Sequence, residues 1–170
     1  MKFRELTLFE VRSFQEIYLT YVNFHPGVQR IALFANNGAL ISGMYRDDVL
    51  LKKLPAALTQ LTLSGVSFAD GTRALEEAVS ESHNLYSICL LNPRVSAEQL
   101  KSLCSVIARR GSLKNFWING INASVHFEDL MPLFNLPFLE KLIFQTARDL
   151  NLDQARQFLE RLANSHVSYL

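Results

Sequence analysis

Neither sign of charge dominates this sequence. Its 17 lysines and arginines stand against 16 aspartates and glutamates, for a net charge of +1. A chain so balanced has no electrostatic reason to bind nucleic acid or an anionic membrane. Cysteine is scarce, and two residues cannot build a disulfide framework. No apolar run approaches the roughly 18 residues of a membrane span, so membrane insertion is not expected. The start, "MKFRELTLFEVRSF", carries charges at positions 2, 4, 5, 10 and 12, and no apolar stretch of signal-peptide length follows. A soluble, cytoplasmic chain is the expectation, and the sequon at Asn122 is then read as chance.

Reactive constellations are missing too. There is no phosphate loop, no G-x-G-x-x-G and no Cys-x-x-Cys. His25, His83, His126 and His166 lie far apart, so neither a metal site nor a cofactor is expected. Arg109 and Arg110 close a predicted helix, where they suit its dipole. Nothing in the residues points to an enzyme.

What is present is a core and a repeat. With 170 residues, 49% hydrophobic and 19% charged, the chain reads as one globular domain over residues 1–170. The spacing L-x-x-L-x-L occurs at Leu58, Leu61, Leu63, at Leu85, Ile88, Leu90 and at Leu113, Phe116, Ile118. It recurs at Leu139, Leu142, Phe144, at Val28, Ile31, Leu33 and, more loosely, at Phe3, Leu6, Leu8. A truncated copy, Val167 and Leu170, closes the sequence. The starts at 3, 28, 58, 85, 113, 139 and 167 give steps of 25, 30, 27, 28, 26 and 28. Every anchor in the six complete copies is apolar, against the 49% that composition supplies.

Helix signals fill the intervals. Ser13 with Glu16, Ser96 with Gln99 and Asn151 with Gln154 read as capping boxes ahead of residues at helical spacing. Asp70 is placed to cap a helix carrying Leu75, Ala78 and Val79. Asp129 as a cap would put Pro132 in the first turn of a short helix, where its missing N–H costs little. The least regular interval holds a turn at Asn36-Asn37-Gly38 and a helix over roughly residues 46 to 54. Short strand, turn, helix and return then make an α/β solenoid of about six repeats. Its curved parallel sheet lines the concave side and its helices the convex side.

At this point the anchors carry a family resemblance. "LTQLTLSGVSFADGTRALEEAVSESHNLYSICLL" resembles the leucine-rich repeats of the ribonuclease-inhibitor type, and "LPAALTQL" and "LPFLEKL" resemble the join between such repeats. Three residues after the third anchor the family usually carries Asn or Cys. Here those positions are Val11, Asn36, Val66, Pro93, Ile121 and Ala147, and only Asn36 fits, so the turns must be satisfied in other ways. The resemblance implies a protein-protein interaction module. Divergent short repeats of this kind are similar to some effector proteins of intracellular bacteria. That likeness implies a host protein as partner and delivery to the host cell by a non-classical route. The alternative is the repeat segment of a larger regulatory or enzymatic protein, such as a GTPase regulator or a ubiquitin-ligase adaptor.

On such strands the residues between the anchors face the concave groove, because side chains alternate. The last three rows are Ser87, Cys89, Leu91; Asn115, Trp117, Asn119; and Lys141, Ile143, Gln145. Trp117, the one tryptophan, then stands between Cys89 and Ile143, with Leu91 diagonal to it. Asn115, Asn119, Lys141 and Gln145 form the polar rim expected of a protein-binding hot spot. Phe9 and Phe34 form a second, smaller apolar pair. Packing within the groove itself is the competing reading of Trp117. Cys89 is expected on the groove side and Cys104 in the core, so the two should not pair. The truncated copy at the C-terminus predicts either a longer natural protein or self-association through that strand edge.

Overall fold

The computed structural model describes residues 4–9, 26–34, 54–65, 72–121, 126–145 and 151–168. It is an α/β structure. The strands are β1 (Glu5–Phe9), β2 (Arg30–Phe34), β3 (Gln60–Ser64), β4 (Ser87–Leu91), β5 (Asn115–Asn119) and β6 (Lys141–Phe144). They form one sheet in sequence order, and every neighbouring pair is parallel. The helices are α1 (Arg73–Glu81), α2 (Ala97–Arg110) and α3 (Leu152–Ala163), with a 3-10 helix over Phe127–Asn135.

Alternation decides the two faces of the sheet. Ile31, Leu61, Leu63, Ile88, Leu90, Phe116, Ile118 and Leu142 are buried, while the residues between them are half-buried or exposed. The first anchors Val28, Leu58, Leu85, Leu113 and Leu139 are buried as well. On the other side of this core stand Leu75 and Val79 of α1, Leu100, Leu103 and Ile107 of α2, Leu130 and Leu133 of the 3-10 helix, and Phe158 of α3. Phe134 and Phe144 both meet the Phe158 ring edge-on, at centroid distances of 5.8 and 5.7 Å. Each such side chain contributes roughly 1.5–3 kcal/mol by leaving water.

A hydrogen-bond pattern recurs at every strand entry. The carbonyls of Arg4, Gln29, Thr59, Tyr86 and Lys114 each accept from two successive amides of the next strand entry, at 2.7 to 3.2 Å. The Glu140 carbonyl continues the series by accepting from the Ser168 amide at 2.9 Å, and Val167 packs against the core. Val167 and Ser168, the described residues of the truncated copy, therefore lie against the start of β6.

The strand exits share one backbone conformation. Gly65, Asn92 and Gly120 follow β3, β4 and β5 directly, and all three have positive φ, at 67°, 47° and 72°. Glycine takes this left-handed conformation freely, and Asn tolerates it better than most residues. The left-handed residue thus stands two positions after the third anchor in each of these three copies. The amides of Gly65 and Asn92 then donate to Leu91 and Asn119 O, so the ladder runs one residue past each strand.

The helix starts mostly agree with the sequence. Ser96 and Gln99 form a reciprocal capping box on α2, and Asn151 with Gln154 does the same on α3. Two expected caps need correction. Asp129 is not the cap of its helix: the 3-10 helix starts after His126, and the Asp129 carboxylate accepts from the His126 amide at 2.9 Å. Pro132 therefore falls in the middle, where the segment follows the tighter 3-10 path. Arg110 also does more than face its own helix end. Its guanidinium crosses to α1 and donates to the carbonyls of Val79 and Ser82, the second of which also accepts from the Leu85 amide. The helix carrying Leu75, Ala78 and Val79 takes Thr72 as its N-cap residue, not the expected Asp70. The expected features at Ser13 and Asn36, and the helix expected over roughly 46 to 54 as far as residue 53, lie outside the described residues.

Candidate functional site

The site is built on three adjacent strands. In β5, Phe116 and Ile118 are fully buried, which forces Trp117 to the opposite face, where it is 42% exposed. Parallel register sets Cys89 on one side of it and Ile143 on the other. Both of these are half-buried. Leu91 pairs with Asn119, one row on, and is half-buried too. The expected apolar patch is thus assembled by register.

The rim is polar. Ser87, Asn115 and Lys141 align in the row before Trp117. Asn119 closes β5, and Gln145 follows β6 with an exposed side chain and its amide bonded to Ile118 O at 3.1 Å. An Asn carboxamide carries both donors and an acceptor, so Asn115 and Asn119 suit peptide groups or hydroxyls. Beside the patch the Glu140 carboxylate bridges Lys114 at 3.0 Å, and on the far strands Glu5 pairs with Arg30. Opposite charges on neighbouring strands support the sheet there.

Phe34 does not join the patch. It is half-buried on β2 beside Ser64, three strands from β5, so roughly 14 Å away. Phe9 is its register partner, but the Phe9 side chain lies outside the described residues. Tyr86 is an addition that the sequence pattern missed. Its phenol accepts from the Gln60 amide at 2.8 Å, tying the entry of β4 to the outer row of β3. The residue stands just before its strand, where strict alternation no longer tells which way a long side chain reaches.

The two thiols are free and differ in setting. Burial raises the Cys89 pKa, and a hydrogen bond with Thr62 opposes this only in part. Cys104 is fully buried, and its pKa is raised further, first by burial and then by the Asp129 carboxylate. Neither environment is the electropositive one that makes a thiolate nucleophile. Among the described residues no group of His, Cys, Asp and Glu could hold a metal ion. No described helix is long and apolar enough to cross a membrane.

No family model matches the chain, and neither a curated protein nor a solved structure does.

Proposed function

We propose that this chain is a leucine-rich-repeat-like solenoid that binds a protein partner through the face carrying Trp117. In this reading the sheet is the concave lining, and Trp117, Cys89, Ile143 and Leu91 form the apolar centre. Asn115, Asn119, Lys141 and Gln145 form the rim. One observation carries the proposal: Trp117 keeps 42% of its surface in water between two fully buried neighbours. A half-exposed indole with apolar neighbours and a polar rim matches the make-up of interface hot spots. The repeated carbonyl bonds at the strand entries support the repeat reading. By resemblance, the chain would be a bacterial effector and its partner a host protein.

The test is capture of partners by the wild-type chain and by Trp117→Ala, read by mass spectrometry. The variant is expected to lose the specific partner, with an affinity loss of at least ~2 kcal/mol once that partner is purified. Equal capture by both would remove Trp117 from the binding face.

A further inference from the structure

The outer side of α3 carries apolar residues that the core does not use. Phe158 is buried and Leu162 partly so, but Leu152 is 82% exposed and Leu159 is 61% exposed. Seven residues apart on a helix, these two leucines lie within about 20° of one another. Ala163 lies on the same strip, and Ala155 stands between it and the buried face. The apolar arc of α3 is therefore wider than the part its neighbours cover.

An internal alignment shows what this strip corresponds to. The two capping boxes match Ser96 with Asn151 and Gln99 with Gln154. Leu103 then matches Phe158, Ile107 matches Leu162, and Cys104 matches Leu159. In α2 the first two positions are buried against the sheet, and Cys104 is buried as well, beside the 3-10 helix that carries Asp129. Among the described helices, α2 packs against α1 on one side and the 3-10 helix on the other, whereas α3 has the 3-10 helix as its one helical neighbour. Leu159 thus faces the direction in which a further helix would lie.

We propose that this strip is a homodimer interface, with α3 packing antiparallel on α3 of a second copy across a two-fold axis. A two-fold contact needs a self-complementary patch, and α3 supplies one. Arg156 and Glu160 are exposed along the solvent edge of the strip, one turn apart. Antiparallel packing sets Arg156 of one copy opposite Glu160 of the other, twice over. Parallel packing would align like charges instead. Leu159 of each copy then sits near the axis, and the alanines let the helices approach. The strand edge is a poorer choice, because Ser168 already occupies the Glu140 carbonyl at the start of β6. A single helix pair buries less area than a standard interface, so the dimer is weak.

Sedimentation equilibrium over a concentration series up to roughly 1 mM tests this. The wild-type mass should climb toward that of a dimer. Leu159→Glu should weaken association about 30-fold or more, and an unchanged circular dichroism melt shows that it still folds. Arg156→Glu and Glu160→Arg should each weaken the dimer, and the double variant should restore it. Trp117→Ala should associate like wild type, so this test stands apart from the partner-binding reading. A wild-type chain that stays monomeric, a Leu159→Glu variant that still dimerises, or a double variant that fails to recover would each overturn the proposal.

Discussion

α2 and α3 start with the same device and end in different surroundings. Each opens with a reciprocal capping box, and each presents apolar residues at the same offsets from its cap. α2 buries Leu100, Leu103, Cys104, Val106 and Ile107, but α3 buries only Phe158. The local sequence therefore specifies where a helix begins. Its neighbours decide how much of its apolar face contributes to stability. The middle of the molecule should behave as a packed core, and the end as a partly open layer.

The largest difference should come from leucines on these two helices. Leu103→Ala is expected to cost about 2–5 kcal/mol, the range for a fully buried leucine. Leu159→Ala should change folding stability by no more than about 0.5 kcal/mol at concentrations where the chain is monomeric. Paired urea melts measure both. Similar losses would mean that α3 is packed as deeply as α2.

A smaller contrast separates two glycines. Gly111 caps α2 at φ 73° with open space around it, and Gly120 ends β5 at φ 72°. A Cβ at Gly120 would run into the Asn92 side chain at Oδ1. Gly111→Ala should cost about 1–2 kcal/mol for the left-handed backbone alone. Gly120→Ala should cost more, and adding Asn92→Gly should recover part of the excess. No recovery would show that Asn92 does not set the close approach.

The capping boxes give a finer comparison. Ser96→Ala should cost about 1 kcal/mol. Asn151→Ala should cost less in global stability, because the end of α3 can fray without opening the core. Melts of both variants, with hydrogen exchange along α3, decide between these. A larger global loss at Asn151 would reverse the ranking.

The weakest expected effect is in the thiols, and it depends on pH. Cys89 should react with a thiol reagent more slowly than a free cysteine, and Cys104 more slowly still. The folded state holds Cys104 neutral, while the unfolded chain ionises near the ordinary value of about 8.5. Its stability contribution is therefore complete below that value and declines as pH rises beyond it. Cys104→Ala should flatten the stability curve on the alkaline side. An unchanged slope there would mean that the buried thiol is not its source.

Much of this arrangement is legible in the sequence, for a physical reason. A sheet with one buried face imposes a period of two on its strands, and Leu61, Leu63, Ile88, Leu90, Phe116 and Ile118 display it without exception. The same alternation brings Cys89, Trp117 and Ile143 into one row. Capping boxes are local and were readable at Ser96 and Asn151. The turn residues were readable in principle, since Gly65, Asn92 and Gly120 share one offset and suit one conformation. Contacts between distant segments left no trace. The Arg110 bonds to Val79 and Ser82 span 31 and 28 residues, and Gln60 reaches Tyr86 across 26. Asp129 misled because a carboxylate at the third helical position carries the same signal as a cap.

The most direct test of the central claim compares two adjacent residues of β5. Phe116 is fully buried, and Trp117 faces the other way with 42% of its surface exposed. In urea melts, Phe116→Ala should lose about 3–5 kcal/mol, and Trp117→Ala about 1 kcal/mol or less. That result leaves Trp117 free to serve binding. A Trp117→Ala loss as large as that of Phe116→Ala would place the indole inside the protein and contradict the proposed face.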